Sequence, residues 1–394
     1  MAKLNSLLIG AFLMGLGCSS ISLDWDSSPT MLATGSDVRI AFNNAAVGAR
    51  DESNVLHVAW TDNSELWYGQ LDPSTGAWTS SIMSIASGRT VFKPTIATAG
   101  TSGSGTNLYL AWVEEDVEDI VRITFSTDSG GSWSIPFGVA TARGIAEVGV
   151  SLYAYEDDSS DLQGVVSWHD EGVNFSYAAT SADAWSQQEL NDGIYPARNP
   201  ALDGRGETVW ATWDEDESGT KRLHVLRSLD GGVTWEAEPS TAGWELGPEG
   251  NDASIAVVSD DLFFLGYHTL GRSYVGISSD AGGTFQGVAS TSATDPMGDG
   301  FFPRVAYEGF LAVAWEGCVD CGITEDAEKR PYTALGWPWH FGPPDGMSDY
   351  DSYEGATLVT TNIDGDTMDV FWLEHDTSAG IYTLWHRAGE ITAE

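Results

Sequence analysis

The chain alternates short apolar runs with polar, glycine-rich stretches, and seven of the runs share one form. Each is a mainly apolar stretch that closes on an aromatic residue and is followed by acidic or polar positions. The seven end at Trp60, Trp112, Trp168, Trp213, Tyr267, Trp315 and Trp372, with successive spacings of 52, 56, 45, 54, 48 and 57 residues. Runs this short predict strands rather than helices. Strand-rich units recurring at about 50 residues are the pattern of propeller blades.

A shorter candidate strand precedes each run, as at 93–98, 199–202 and 303–307, with a Gly, Asp or Asn turn between the two. Pro94, Pro200 and Pro303 recur in this first strand. Proline lacks the N–H that a central strand needs, so it marks an edge strand or a strand start, as the innermost strand of a blade would allow. A third strand follows each aromatic run, and then a tight turn leads to an aromatic residue. Three of these turns are well formed: STDSGGSW at 126–133, SLDGGVTW at 228–235 and SSDAGGTF at 278–285. They resemble the Asp box of bacterial sialidases and other Asp-box (BNR repeat) propellers. The resemblance assigns structural roles to Asp128, Gly130 and Trp133, to Asp230, Gly232 and Trp235, and to Asp280, Gly282 and Phe285. Asp accepts hydrogen bonds from turn amides and hydroxyls, Gly takes positive φ, and the aromatic ring packs under the hairpin. The turns at 72–78 and 181–185 are decayed versions.

The expected fold is therefore all-β, a β-propeller of four-stranded antiparallel blades. Seven blades follow from the seven runs, with six as the alternative. Sialidase catalytic domains have six, so a count of seven departs from them. The last unit stops soon after its third strand, which ends at Trp385, so residues 25–32 are expected to close the ring as an N-terminal strand in the last blade. Closure of that kind removes open sheet edges.

Composition narrows the function. The 58 Asp and Glu against 17 Lys and Arg give a formal charge of −41, which leaves nothing to neutralise a run of phosphates and excludes nucleic acid as a partner. The first segment carries Lys3, an apolar run at 7–16, and then Gly17 and Cys18. It is too short to span a bilayer and reads as a signal peptide. A Cys after a small residue resembles the bacterial lipoprotein signal, although Gly15 stands where that signal usually has Leu. The resemblance implies a signal peptide over 1–18, lipidation at Cys18, a single propeller domain over 19–394, and anchoring to the outer membrane or cell surface. In that exported setting Cys318 and Cys321 are expected to form a small disulfide.

Candidate chemistry gathers after the apolar runs, where the connections of one face surround the axis. Asp62, Glu115, Asp170, Asp214 and Glu316 lie there, with His169, His268 and His375 among them. Clustered carboxylates are hard oxygen ligands, so calcium is the one cofactor suggested, alongside a cup for a cationic partner or a merely hydrated rim. The sialidase resemblance asks for three Arg around a substrate carboxylate and a Tyr nucleophile paired with Glu. Arg39, Arg198 and Arg304, with Tyr353 and Glu354, are the candidates. Because these echo the family motif only loosely, the sequence favours a surface-anchored, non-catalytic module that recognises a glycan or an envelope protein. An exo-glycosidase of the sialidase type is the alternative and an envelope scaffold the third reading. A monomer is expected.

Overall fold

The computed structural model describes residues 21–26, 28–40, 46–83, 88–102, 105–142, 150–156, 162–170, 173–179, 185–191, 194–236, 250–269, 272–287, 300–318, 329–337, 340–341, 345–347 and 359–393. The signal segment with Cys18, the Tyr353–Glu354 pair and Cys321 lie outside them. No helix among the described residues is long and apolar enough to cross a membrane.

The described strands form seven antiparallel sheets. Sheet one holds Gly48–Arg50, Leu56–Asp62, Glu65–Asp72 and Ala77–Ile82. Sheet two holds Val91–Ser102, Gly105–Glu114, Asp119–Ser126 and Phe137–Ala142, and sheet three Ser151–Glu156, Leu162–Asp170, Val173–Ala179 and Trp185–Glu189. Sheet four has three strands, Ala197–Arg205, Thr208–Glu217 and Thr220–Ser228. Sheet five holds Asn251–Ser259, Leu262–Thr269, Arg272–Ser278 and Gln286–Gly287. Sheet six combines Gly300–Tyr307, Leu311–Cys318 and Lys329–Trp337 with the short pieces His340–Phe341 and Asp345–Gly346. Sheet seven is built on Val359–Asp364, Thr367–Asp376 and Ile381–Ala393. The first strand of each sheet contacts its neighbours in order, and that of sheet seven returns to sheet one.

The expectation of uniformly four-stranded blades does not hold as stated. Among the described residues only four sheets have four strands; sheet four has three, and sheets six and seven have five each. The fifth strand of sheet seven comes from the closure. The 13-residue strand Ile381–Ala393 is long enough to take two N-terminal partners. Thr30–Gly35 pairs with its first half, setting Met31 opposite Trp385, and Ile21–Trp25 pairs with its second half, setting Trp25 opposite Gly389.

Core packing follows the sequence repeat. Trp60, Trp112, Trp213, Tyr267, Trp315 and Trp372 lie in clusters between neighbouring sheets, and Trp112, Trp213, Trp315 and Trp372 are fully buried. The three Asp boxes share one hydrogen-bond set. In the first, Ser126 Oγ donates to Asp128 Oδ1 at 2.8 Å, Gly130 N donates to Ser126 Oγ at 2.9 Å, and Ser132 N and Oγ donate to the two Asp128 oxygens at 2.8 and 2.6 Å. Asp230 and Asp280 repeat it with Thr234 and Thr284. Gly130, Gly232 and Gly282 take φ of 80–83° there, a conformation open to glycine at no steric cost.

The recurrent prolines have a more specific place than a strand start. In sheets two, four, five and six the first strand carries a β-bulge, between Phe92 and Thr95, Arg198 and Ala201, Asn251 and Ser254, and Phe301 and Arg304. Within each bulge one non-glycine residue has positive φ: Lys93 at 47°, Asn199 at 56°, Asp252 at 52° and Phe302 at 51°. Pro94, Pro200 and Pro303 follow three of them, where the ladder is already interrupted and no N–H is missed.

Candidate active site

The bulges act on function by turning side chains that would otherwise follow the strand alternation. Asn and Asp tolerate left-handed backbone better than other side-chain-bearing residues. At Asn199 and Asp252 the result is a bridge between sheets four and five. Asn199 Nδ2 donates to Asp214 Oδ1 at 2.7 Å and to Asp252 Oδ1 at 2.8 Å. The other oxygen of Asp252 meets His268 Nδ1 at 3.1 Å, and Lys221 Nζ stands 4.0 Å from Asp214 Oδ2. Asp214, Asp252 and Asn199 are all buried.

Burial sets the charge state of this group. It disfavours the Asp214 carboxylate, and the like charge of Asp252 adds to that, so the pKa of Asp214 is pushed up to about 6 against the opposing pull of Lys221 and Asn199. Arg304, at 3% exposure, is pulled by burial down to about 10, although Asp252 and Glu316 favour its charge. Arg304, Asp252 and Glu316 thus share one electrostatic neighbourhood at the junction of sheets five and six.

Five of the acids after the aromatic runs do not belong to a hydrated rim. Glu114, Asp214, Glu215, Glu316 and Glu374 are all buried. Three are held by the indole that closes their own strand: Trp112 Nε1 donates to Glu114 at 3.3 Å, Trp213 to Glu215 at 2.9 Å and Trp372 to Glu374 at 3.1 Å. Residues two apart on a strand share a face, which is why a Trp-x-Glu spacing makes this bond. That spacing was present in the sequence and is the signal that distinguishes these acids from solvent-facing ones.

Alternation sends Glu215 and Glu217 to the face opposite Asp214. There they meet His224, which stacks on Trp213 with ring planes 11° apart. One ligand atom from each of Glu215, Glu217 and His224 lies within 4.8 Å of the others, so this cluster has the donor set to coordinate a divalent metal. Arg222 Nε already pairs with Glu217 at 2.8 Å.

Of the residues singled out from sequence, Asp214, His268, Glu316 and Arg304 fall in or beside the bridged pair. Asn199, Asp252 and Lys221 belong with them and were not singled out. Arg198 is exposed on the strand beside Asp214, its cross-strand partner. Arg39 lies at the junction of sheets seven and one, paired with Asp37 at 3.0 Å and lying over the Tyr382 ring at 4.2 Å. His375 stacks on that same ring at 4.0 Å. Asp62 is half-buried and Glu115 exposed. His169 and Asp170 end a strand of sheet three, opposite Asn174 and Val173.

The preference for a non-catalytic module is corrected by these findings. It rested on the loose match of the sequence to the sialidase catalytic set. Five acids after the aromatic runs are instead buried, and one carboxylate of a bridged pair is held where it exchanges its proton near neutral pH, as catalytic acids require. The Glu215–Glu217–His224 cluster adds a donor set for a divalent metal.

No family model matches the chain, and no curated protein matches it. Similar solved structures include a mutant of Trypanosoma rangeli sialidase displaying trans-sialidase activity, at 10% identity and a TM-score of 0.47, with 93% of this chain and 60% of that chain covered. This chain therefore spans about 60% of that sialidase's length. An α-L-arabinofuranosidase of Fusarium graminearum in complex with arabinobiose is 12% identical at a TM-score of 0.47, with 95% and 97% covered. The Aleuria aurantia fungal lectin is 10% identical at a TM-score of 0.49, with 75% and 91% covered. That lectin is itself a six-bladed β-propeller. These likenesses concern the fold alone.

Proposed function

We propose that the protein is a glycoside hydrolase of the exo-glycosidase kind whose catalytic pair is Asp214, as acid and base, and Asp252, as nucleophile. The observation that carries this reading is the single Asn199 amide nitrogen shared by the two carboxylates. Two oxygens bound to one nitrogen at 2.7 and 2.8 Å lie within the spacing of about 5.5 Å at which paired carboxylates cleave a glycoside with retention. Protonated Asp214 gives its proton to the glycosidic oxygen as the bond from that oxygen to the anomeric carbon breaks and the bonding pair leaves with the oxygen. Ionised Asp252 forms the glycosyl ester, and ionised Asp214 then draws a proton from the water that hydrolyses it. Arg304 and Lys221 place positive charge beside the pair, which favours a sugar bearing a carboxylate.

Turnover of a panel of fluorogenic glycosides by the intact protein, sialosides and arabinofuranosides included, tests this. Hydrolysis of at least one, reduced at least a hundredfold in Asp252→Asn, is expected. No turnover on any of them, or turnover untouched by the substitution, contradicts the reading; binding without turnover would return the protein to the recognition class.

The calcium expected from sequence would fall at Glu215 and Glu217, although the His224 imidazole in the same cluster also suits a softer divalent ion. The reading extends to an exported enzyme tethered through Cys18, supported by the charged, apolar and small-residue order of the first 18 positions. Radiolabelled palmitate incorporated by the native chain and not by Cys18→Ser is the expected result. Equal labelling of both removes the anchor.

A further inference from the structure

A groove of about 750 Å³ runs along the seam between sheets one and two, away from the Asp214–Asp252 pair of sheets four and five. One wall is the outer half of sheet one, where Tyr68 and Gln70 stand opposite Ser81 and Thr79 across the ladder and therefore share a face with them. The other wall is the Asp-box hairpin of sheet two, with Trp133 in a T-shaped contact on Tyr68 at 5.1 Å. We propose that this groove is a second carbohydrate site, for a neutral saccharide.

The chemistry of the walls selects that class. Thr79, Ser80, Ser81 and Ser132 present exposed hydroxyls, and Trp133 is partly open, so polar and apolar surface alternate as they do around a sugar ring. The carboxylate in the wall, Asp128, is already committed to Ser126 and Ser132 within its turn. Those hydrogen bonds hold its pKa below the usual carboxylate range.

The corresponding seam between sheets four and five is closed differently. Gln70 and Arg227 occupy the same register, each three positions after the residue paired with the aromatic that ends its neighbouring strand. Arg227 binds Glu236 and Asp261 at 2.6 and 2.7 Å and lies over Trp210, so a charged side chain spans that seam. In the first seam neutral Gln70 does so, donating to Tyr68 Oη and to the Ser129 carbonyl oxygen.

The floor is rigid. Tyr68 Oη meets His57 Nδ1 at 2.7 Å, and His57 Nε2 meets Asp51 at 3.3 Å, while Thr106 donates to the same Asp51 oxygen. Burial keeps His57 on the neutral side of its ordinary range. A Cβ at Gly130 would fall on Tyr68 Oη, so glycine is required where the hairpin crosses this floor.

Saturation-transfer NMR on the full chain, with the methyl glycosides of galactose, mannose, arabinose and N-acetylglucosamine as probes, tests the site independently of the Asp214–Asp252 pair. At least one probe should show saturable transfer that persists in Asp252→Asn and weakens at least tenfold in Ser81→Arg. Ser81 lies exposed on an outer strand, so the Ser81→Arg protein should melt with the native protein, and Thr79→Arg provides a second block of the same wall. Absence of transfer from all four probes, loss of transfer in Asp252→Asn, or retention in both Arg variants overturns the proposal.

Discussion

Asp214 and Asp252, on neighbouring sheets, share one hydrogen-bond donor, the Asn199 side-chain nitrogen, at 2.7 and 2.8 Å. Without it two buried carboxylates would confront each other across the seam. Asn199→Leu should therefore destabilise the protein more at pH 8 than at pH 5, where a proton on Asp214 can take the place of the lost donor. The loss at pH 8 should be about 1–3 kcal/mol, the cost of stranding buried charged acceptors. Urea unfolding at the two pH values measures it, and an equal loss at both would show that the pair is not coupled through Asn199.

Arg50 and Asp369 clasp sheet one to sheet seven. Arg50 Nε and Nη2 both donate to Asp369 at 2.6 Å, and His386 Nε2 meets the same carboxylate at 2.7 Å. Burial opposes the charge on Asp369, but His386 and Arg50 outweigh it and hold the pKa below the usual carboxylate range. A depressed pKa means stability present at neutral pH and lost as pH falls through that folded value. Asp369→Asn should cost about 3–5 kcal/mol at pH 7, because it leaves a buried guanidinium without its counter-charge. The difference from native protein in thermal melts should narrow in acid.

Asp203 behaves in the opposite sense. Its carboxylate, in the wall of a cavity of about 430 Å³, accepts from Val257 N at 2.6 Å, yet burial pushes its pKa up to about 7. A raised pKa contributes stability that is complete below the unfolded value near 4 and is lost as pH rises toward 7. Asp203→Asn keeps an acceptor for Val257 and removes the ionisation. Its unfolding free energy should stay flatter than the native protein's between pH 4 and 8, with a gain on the order of a few kcal/mol at the upper end. Parallel pH profiles would contradict the assignment.

The N-terminal closure is testable by deletion. Removing residues 1–35 exposes the whole edge of Ile381–Ala393, now paired with both N-terminal strands. The shortened chain should melt lower and self-associate in size-exclusion chromatography, since an unpaired edge templates further strands. A monomer melting with the native chain would show that the closure contributes little.

The parts of the fold legible in the sequence are those written in local spacing. The aromatic end of each second strand repeats at a blade's period, and the Asp boxes carry their own hydrogen-bond partners within eight residues. The terminal closure was legible as a missing strand at one end and a spare one at the other. The uneven strand number was not, because it depends on how far Ile381–Ala393 extends and on which blade lacks an outer strand. The site was half legible. Asp214, Glu316 and His268 stood in the acidic stretches, but Asn199 and Asp252 reach the site only through bulges whose left-handed backbone is set by the packing of one inner strand on the next. In the 198–200 segment the bridge is made by Asn199 and not by the neighbouring Arg198. Trp-x-Glu at 112–114, 213–215 and 372–374 was the available sign that the acids face inward.

The pH dependence of kcat/KM, measured on the best substrate of the glycoside panel with native protein and with Lys221→Met, tests the account most directly. In the proposed mechanism protonated Asp214 is the acid, so activity should fall on the alkaline side with an apparent pKa near 6. Lys221 lowers the pKa of Asp214, so its loss should move the alkaline limb to higher pH while the limb itself persists. An alkaline limb unmoved by Lys221→Met, or one retained in Asp214→Asn, would contradict the assignment of Asp214 as the proton donor.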